Sequence, residues 1–575
     1  MGGSTLSRPR DPNKDYGDNS GILVIGIDFG TTYSGVAWAT EADLPRDNII
    51  PITSWPGGVR EEGKTPTEIL YKNGEVTWGF EIGYEVNPIK WFKLLILKDE
   101  DLTPDLRSSK FLERARQSIR ESKKTLLELI SDYLQMLWKH AIDTITKERG
   151  SAVDALQFHV VLTVPAIWKD YAGEQMMHAV MRAGILNYRT AGQTQLSFAP
   201  EPQAAALATL HDLGRQLQPN EIYIVCDAGG GTVDLITYKI GSVDPLLLEE
   251  AVPGTGGLCG RIFIDQEFKA ILQNRLGRKW DRLTTEVARE LLHKEWELSL
   301  KPRFKLTGSN KKYTVQIPAE AFGHMDSFTD VTREPYIKNA RMHLSESHIK
   351  KAFAKVFKEI DELVDNQVGQ AWDKGLQPSR YCSPPEAGPI CRGAVYQGFL
   401  PTFRSNSTIP SSIAVTSTIS RASYGHEWNE PFVEGLHLEH DKHWNPLLEY
   451  LEAQNQMKWY LIKGENVLTE KRVLHKFSQT FTKDRFDGTI KLKLCRCEAD
   501  TPPTRWTDSV ERFVTIECKT GMSYSDLEEQ QNSKGQKYVR PSFYVQMVPS
   551  GAAVEFAVYV GDKKVGSSNV NIQYS

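Results

Sequence analysis

The sequence predicts an α/β protein in which two similar lobes precede a β-rich C-terminal domain. Two segments, ILVIGIDFGTTYSGVAW from Ile22 and IYIVCDAGGGTVDLITY from Ile222, share one order of features: a hydrophobic strand ending in Asp, a glycine turn with Thr, and a second strand. Such a repeat, spaced by about 200 residues, indicates an internal duplication with a cleft between its copies. From about residue 401, short strands, turns and aromatic residues replace the helical patterns, which indicates the third region.

These patterns divide the chain into four segments. The first twenty residues are polar, contain Gly and Pro, and show no periodicity, so we expect a disordered tail. The predicted segments are the tail at 1–20, lobe I at 21–217, lobe II at 218–400 with a return to lobe I, and the β-rich domain at 401–575.

The elements between the two repeats follow from local patterns. Asn73-Gly74, within TEILYKNGEVTWGF, predicts a hairpin with a type I′ turn. Apolar residues recur every three or four positions within 110–147, which predicts a helix. FHVVLTVPAIW then predicts a buried strand, EPQAAALATL the start of a helix of small residues, and residues 281–376 mostly helical material.

Composition excludes several classes of function. The 575 residues carry a net charge of −4 and no run of Lys or Arg, so neither a nucleic acid nor an anionic membrane is an expected partner. No stretch approaches the roughly 20 apolar residues that cross a bilayer. Seven scattered cysteines without a CxxC pair indicate a reducing compartment. We therefore expect a cytoplasmic protein.

The repeated Asp-Gly-Thr turns suit phosphate chemistry. Glycine lets backbone N–H groups approach anionic oxygens, and Thr hydroxyls add directional donors. A carboxylate at a strand end can hold hydrated Mg²⁺ without displacing its waters. One such turn is as compatible with an ordinary loop as with a ligand site, but two in matched strands favour a site that holds phosphates from both sides.

Four motifs together resemble the ATPase domain of the seventy-kilodalton heat-shock chaperones. IDFGTTYSGVAW and CDAGGGTVDL are similar to its two phosphate loops, while LTVPAIW and EPQAAALATL resemble the strand and helix between them. WFKLLI and RGAVYQG are closer to a divergent fungal and animal heat-shock-like branch, which has a non-standard C-terminal domain. The resemblance implies a two-lobed actin-like ATPase of duplicated ribonuclease-H-like lobes that binds ATP or ADP with Mg²⁺.

The resemblance also implies roles for residues at matching positions. Asp28 and Asp227 would orient Mg²⁺ through water, and Glu201 and Asp234 would position the metal-bound and attacking waters. Lys93 would stabilise charge near the γ-phosphate, although a surface lysine beside an apolar run is the alternative interpretation. The phosphate contacts would be Gly30, Thr31, Thr32, Tyr33, Gly229, Gly230, Gly231 and Thr232.

Glu297 and Lys301 resemble adenosine-contacting positions. They are also spaced i, i+4, so an ordinary salt bridge on a helix is an equal alternative.

The stretch GVREEGKT, Gly58 to Thr65, fits the P-loop pattern letter for letter. A P-loop works only between a buried strand and a helix whose N-terminus receives phosphate. Pro66 follows at once, and the next residues predict a hairpin. We therefore interpret the stretch as an exposed loop.

One part of the family pattern is missing. The ATPase domains that this chain resembles have a third glycine segment late in lobe II, which packs against adenine and ribose. Here GLQPSRYCSPP runs directly into EAGPICRGAVYQG near residue 381, and no Gly-Gly pair follows Gly256-Gly257. We expect a core strand and half of the adenine site to be absent with it.

The leading hypothesis is an ATP-binding, slowly hydrolysing heat-shock-like protein in which nucleotide sets lobe closure and protein clients or partners bind. The alternative is a nucleotide-incompetent actin-like scaffold for protein–protein interaction, favoured by the missing glycine segment. A small-molecule kinase of the same superfamily is a third hypothesis, against which TVPAIW and EPQAAALA argue.

Overall fold

The structure is a computed structural model that describes most of the chain. The predicted tail at 1–20 lies outside the described residues. The described residues are 21–83, 86–166, 168–305, 311–323, 327–383, 388–400, 413–468, 474–550, 553–560, 563–567 and 573–574.

The chain begins with a mixed sheet in the order β3-β2-β1-β8-β9, with β4 paired to β2, and a small sheet in the order β6-β5-β7. The strands are β1 (Ile22–Phe29), β2 (Tyr33–Thr40), β3 (Ile50–Pro51), β4 (Thr65–Pro66), β5 (Glu68–Lys72), β6 (Glu75–Trp78), β7 (Ile89–Lys90), β8 (Gln157–Val164) and β9 (Gln195–Pro200). The helices are α1 (Pro104–Arg107), α2 (Lys110–Ser122), α3 (Leu126–Arg149), α4 (Asp170–Arg182) and α5 (Glu201–Leu213).

Local sequence explains these elements. β1 pairs with antiparallel β2 and parallel β8. It is apolar on both faces because one face shares a core with α3 and the other shares a core with the later segment Pro389–Gly398. Asn73 and Gly74 both have positive φ in the β5–β6 hairpin, which confirms the predicted turn. The helix predicted over 110–147 is instead two helices, because Lys123 adopts a left-handed conformation and Thr125 then caps α3.

The second part of the chain builds a sheet in the order β16-β10-β11-β12-β17-β21 and a smaller one in the order β13-β15-β14. Its strands are β10 (Ile222–Ala228), β11 (Val233–Val243), β12 (Leu246–Gly257), β13 (Lys312–Gln316), β14 (Tyr336–Lys338), β15 (Arg341–Ser345) and β16 (Arg380–Cys382). Its helices are α6 (Arg261–Leu276), α7 (Thr285–Leu291), a π-helix (Leu292–Leu300), α8 (Lys301–Arg303), α9 (Glu346–Asp373) and α10 (Pro389–Gly398). The stretch 281–376 therefore includes a three-stranded sheet as well as helices.

The six-stranded sheet that contains β1 and the six-stranded sheet that contains β10 begin with the same strand order. In each, the first strand pairs antiparallel with the second, the second pairs antiparallel with the third, and the first pairs parallel with a later strand. A long helix precedes that later strand in both cases, α3 before β8 and α9 before β16. The sheets differ afterwards: β9 extends the first beyond β8, whereas no strand among the described residues extends the second beyond β16.

The helix α10 returns to the first sheet and lies between β1 and α5. A Cβ atom on Gly393 would lie 1.7 Å from the Ala204 carbonyl oxygen, and one on Gly26 would lie 2.3 Å from the Cys391 carbonyl oxygen. Such close backbone approach explains the glycines at these positions. The RGAVYQG motif is thus a packing motif of the first sheet.

The remaining strands form two further sheets, in the orders β19-β20-β18-β23-β24-β30 and β22-β27-β28-β29, and the pair β25-β26. Buried residues of the β18 sheet and of the β27 sheet, including Leu492, Ile516 and Phe543, share one hydrophobic core. Two strands of this region, β17 (Ile413–Ile419) and β21 (Asn466–Leu468), belong to the second sheet described above. The others are β18 (Ser423–Pro431), β19 (Lys442–Asn445), β20 (Tyr450–Leu461), β22 (Leu474–Ser478), β23 (Thr489–Cys497), β24 (Val510–Lys519), β25 (Glu529–Gln531), β26 (Lys537–Val539), β27 (Ser542–Ser550), β28 (Ala553–Val560), β29 (Lys563–Ser567) and β30 (Gln573–Tyr574).

The expected boundary at 400/401 does not coincide with an edge of the second sheet. β17 lies beyond it and pairs parallel with β12, and β21 pairs with β17. Within the described residues, no helix is both long enough and apolar enough to span a lipid bilayer.

Candidate functional site

The two glycine turns lie against each other. Thr31 and Thr32 follow β1, while Gly230 and Gly231 follow β10. A Cβ atom on Gly230 would lie 2.1 Å from the Thr32 hydroxyl oxygen, and one on Gly231 would lie 2.6 Å from the Thr31 hydroxyl oxygen. Real Cβ contacts are not that short, so only glycine fits at these two positions. The structure thus brings together residues that are about 200 positions apart in the sequence.

The flanking residues shape both turns. A Cβ atom on Gly30 would lie 2.2 Å from the Tyr33 carbonyl oxygen, so the first turn is tight. In the second turn, the carbonyl groups of residues 229–231 accept backbone hydrogen bonds of 3.0–3.1 Å from the N–H groups of residues 260–262 at the start of α6. Because these N–H groups are already used, the N-terminus of α6 holds the turn in place and does not itself provide an anion site. Thr232, the residue before β11, is buried.

Four carboxylates are buried beside the turns. Asp28 and Asp227 lie near the ends of β1 and β10, and Asp234 is directly opposite Asp227 in the β10–β11 register. The fourth, Glu201, is the first residue of α5. Asp234 is fully buried; its Oδ1 accepts a hydrogen bond of 2.9 Å from the Ala166 N–H, whereas its Oδ2 has no partner among the described residues.

Two lysines each pair with one of these carboxylates. Lys93, on the 3₁₀ turn Phe92–Ile96, places its Nζ 2.6 Å from Glu201 Oε1, and both side chains are buried. The alternative of a surface lysine is therefore wrong. The second pair joins Lys64 Nζ to Asp28 Oδ2, also at 2.6 Å.

The other two carboxylates have perturbed protonation equilibria. Burial and the negative charges of Glu201 and Asp28 raise the pKa of Asp227 to about 7, against the opposing charge of Lys64. Burial and the charges of Glu201 and Asp227 raise the pKa of Asp234 well above its usual value. Neither Asp227 nor Asp234 forms an ion pair with a described residue. When all four carboxylates are ionised, the site therefore carries more negative charge than its two lysines neutralise.

This charge pattern fits a hydrated divalent cation. The Asp227 carboxylate and the Oδ2 of Asp234, neither of which pairs with a lysine, could accept hydrogen bonds from metal-bound water. The described residues include no group of three or more His, Cys, Asp or Glu side chains arranged to hold a metal directly.

Comparison with known proteins identifies the relatives of this chain. It is 26% identical over 322 residues to heat shock 70 kDa protein 12A from Homo sapiens, a match that covers 44% of this chain and 46% of the relative. It is 28% identical over 287 residues to the chaperone protein DnaK from Thermosipho melanesiensis, covering 48% and 41%. A chaperone protein HscA homolog from Rickettsia bellii is 28% identical over 239 residues, covering 40% and 35%. No family model matches the chain.

This chain is a divergent relative of the seventy-kilodalton heat-shock proteins. The resemblance read from the four motifs is confirmed. The matched region spans less than half the length of each of these three relatives.

Lys64 is the site residue of this heat-shock-like chain that sequence reasoning missed. We expected Gly58 to Thr65 to be an exposed loop, but only 18% of the Lys64 side chain is exposed and it is paired with Asp28. The rejection of a P-loop is confirmed, because β4 and β5 rather than a helix follow Lys64. The sequence predicts the strands that follow Lys64. It does not show that β4 pairs with β2, and this pairing brings Lys64 to the site.

Glu297, in the π-helix, and Lys301, the first residue of α8, are close to each other. Lys301 Nζ is 2.6 Å from Asp265 Oδ1 and 3.5 Å from Glu297 Oε1. The structure therefore contains the i, i+4 salt bridge between Glu297 and Lys301 that was the alternative to an adenosine contact. Burial and the charges of Glu297, Glu68 and Asp265 raise the pKa of Tyr33.

The region of the missing glycine segment contains a short strand. β16 pairs parallel with β10 through Arg380, Tyr381 and Cys382, so the expectation that a core strand is absent is wrong. Residues 383–388 alone connect β16 to α10. Three residue pairs cover part of the β10 edge, and they were missed because SRYC is too short to show a strand pattern.

Proposed function

We propose that this chain binds ATP or ADP with Mg²⁺ at the two glycine turns and hydrolyses ATP slowly. The observation that carries the proposal is the contact between the turns, in which Thr31 and Thr32 meet Gly230 and Gly231 with four buried carboxylates and two lysines beside them. Backbone N–H groups and hydroxyls at a glycine turn suit phosphate oxygens, and the lysines supply opposite charge.

The proposal includes two actin-like lobes, residues 21–217 and 218–400, that close on the nucleotide. It is supported by the strand order shared by the two large sheets and by the position of one phosphate turn on each. Residues 401–575 would form a separate β-rich domain, with β17 and β21 added to the lobe II sheet.

The roles of the side chains follow from their positions. Lys93, held by Glu201, would stabilise charge on the transferring phosphate. Asp234, fixed through its Oδ1 and open at its Oδ2, would orient the attacking water and accept its proton.

Asp28 and Asp227 would hold a hydrated Mg²⁺, which when bound neutralises negative charge on the phosphates. Gly30, Tyr33, Gly229 and Thr232 would complete the contacts with the phosphates. Glu297 and Lys301 would face the nucleoside from the side of the π-helix.

The proposal also covers the wider role of the chain. Its relatives are named as heat-shock and chaperone proteins, and we propose a chaperone-like protein of the cytoplasm with protein clients or partners. All seven cysteines are unpaired, as is usual in a reducing compartment.

The test combines ADP titration with phosphate release from ATP. Asp234→Asn keeps the size and the Oδ1 acceptor of Asp234, so ADP affinity should stay unchanged while turnover falls about a hundredfold or more. Asp373→Asn, at the exposed end of α9, is the matched control and should change neither measurement. Turnover by Asp234→Asn equal to that of the unaltered chain would show that Asp234 is not the base.

The second candidate is a scaffold without nucleotide. It is favoured by the short connection at 383–388, where the third glycine segment would stand. If the unaltered chain binds neither ADP nor ATP, in calorimetry or in thermal shift, the scaffold is the better conclusion and the ATPase proposal fails.

A further inference from the structure

The lysine of the P-loop-like stretch enters the site along a defined path. Lys64 lies just before β4, whose Thr65 pairs with Ser34 in β2. Thr67 then donates its backbone N–H to the Thr32 carbonyl over 2.8 Å. Contacts with the last residue of the first phosphate turn and with the start of β2 therefore fix the position of the Lys64 backbone.

A glycine makes room for the Lys64 side chain. Gly35 stands opposite Asp28 in the β1–β2 register. A Cβ atom on Gly35 would lie 3.2 Å from Lys64 Cγ and 3.7 Å from Cys391 Sγ. The aliphatic stem thus crosses β2 at the one residue without a side chain, under α10, and brings the ammonium group to Asp28.

A lysine ammonium group thus lies at each of two carboxylates of the site. Lys93 neutralises Glu201, and Lys64 neutralises Asp28, the residue placed to hold a hydrated cation from the first turn. An ammonium group and a hydrated divalent cation are alternative partners for the same carboxylate, and an ammonium group is also a good partner for phosphate.

We propose that Lys64 is a second fixed cation of the phosphate site, that it shares Asp28 with the divalent cation, and that ADP consequently binds with little dependence on added Mg²⁺. This inference rests on the proposed nucleotide binding. Without nucleotide, Lys64 holds Asp28 and weakens cation binding. With nucleotide bound, Lys64 supplies positive charge to the phosphates, so binding requires less positive charge from the metal.

The first arm of the test is calorimetric titration with ADP, in excess Mg²⁺ and in EDTA. The unaltered chain should lose no more than about threefold in affinity when Mg²⁺ is removed, whereas Lys64→Met should lose about thirtyfold or more. Lys64→Arg, which keeps the charge, should restore most of the affinity in EDTA. Lys72→Met, at the exposed end of β5, is the matched control and should behave as the unaltered chain.

The second arm uses Mn²⁺ alone, measured by electron paramagnetic resonance without nucleotide. Lys64→Met should bind Mn²⁺ about tenfold more tightly than the unaltered chain, because Asp28 is then available. If Lys64→Met does not fold, Lys64→Gln replaces it in both arms, since it removes the charge and keeps a hydrogen-bond donor near Asp28.

The outcomes separate the two proposals. Equal Mg²⁺ dependence in the unaltered chain and Lys64→Met, with ADP binding intact, overturns the role of Lys64 and leaves the proposed function standing. Absence of ADP binding by the unaltered chain overturns the proposed function and the nucleotide part of this inference. In that case, unchanged Mn²⁺ affinity in Lys64→Met overturns the sharing of Asp28 as well.

Discussion

Lys93 Nζ lies 2.6 Å from Glu201 Oε1, and this contact joins a 3₁₀ turn to the first residue of α5 across 108 positions of the sequence. Only 3% of the Lys93 side chain and 7% of the Glu201 side chain are exposed. The ring centroids of Trp168 and Phe29 lie 5.3 and 5.6 Å from the Lys93 ammonium group, so aromatic rings pack against the ion pair. The helix start also favours the carboxylate of Glu201.

Breaking this pair on one side should destabilise the protein strongly. Lys93→Met leaves Glu201 buried without its cation, and the free energy of unfolding should fall by about 3–5 kcal/mol. Lys93→Met combined with Glu201→Gln leaves no uncompensated charge and should recover more than half of that loss. Urea denaturation of both variants measures the difference. A double variant no more stable than the single one would contradict the ion-pair explanation.

The packing of α10 against α5 gives a second prediction. A Cβ atom on Gly393 would overlap the Ala204 carbonyl at 1.7 Å, so Gly393→Ala should lower the free energy of unfolding by about 3 kcal/mol. Gly369→Ala, inside α9, is the matched control, because a Cβ atom there would have no neighbour within 4 Å. That control should instead be more stable by about 0.5–1 kcal/mol. Equal effects of the two substitutions would show that α10 does not pack as described.

Much of the fold was readable from the sequence because its signals are local. The strand–turn–strand repeats, the Asn73-Gly74 hairpin and the helix that starts at Glu201 each follow from a few adjacent residues. The Asp and Thr residues of the site were also found this way, since they belong to the repeats themselves.

The missed features depend on pairing between distant segments. Lys64 reaches Asp28 only because β4 pairs with β2 and Gly35 leaves space. β16 is too short to show a pattern and is defined by its three pairs with β10. β17 pairs with β12 across the expected domain boundary. A single sequence carries no direct signal for such partners.

His426, in β18, should make the free energy of unfolding depend on pH. Burial, with a contribution from the charge of Lys458, lowers the pKa of this histidine to about 4 from an ordinary value of 6.5. Between these values the unfolded chain binds a proton that the folded chain does not, so stability falls as the pH falls through this window. The full difference corresponds to about 3 kcal/mol.

His426→Phe should remove this part of the pH dependence while keeping the stacking against Tyr460. The measurement is the free energy of unfolding at several pH values between about 4 and 7.5, compared between variant and unaltered chain. His443→Gln, at an exposed position, is the control and should leave the profile unchanged. A profile that His426→Phe does not flatten would mean that the imidazole is protonated in the folded state.

The last prediction concerns selectivity for the base. The two turns and the lysines can hold the anionic end of a nucleotide, but adenine needs a surface against the ring and partners for the ribose hydroxyls. Only residues 383–388 connect β16 to α10, where the family has its third glycine segment. Loss of those contacts should cost ~3–4 kcal/mol, or a few hundredfold in dissociation constant. ATP should therefore bind weakly, and GTP about as well as ATP.

Calorimetry with ATP, GTP and inorganic triphosphate separates the phosphate end from the base. If the base adds little, the three affinities should agree to within about fivefold. The same chain with a typical family segment inserted after Tyr381 should gain affinity for ATP and not for triphosphate. An insertion of equal length made of Gly and Ser is the control, since it restores length without base contacts. Tight binding of ATP by the unaltered chain, with GTP rejected, would mean that other residues, such as Glu297 and Lys301 beside the π-helix, already provide the base site.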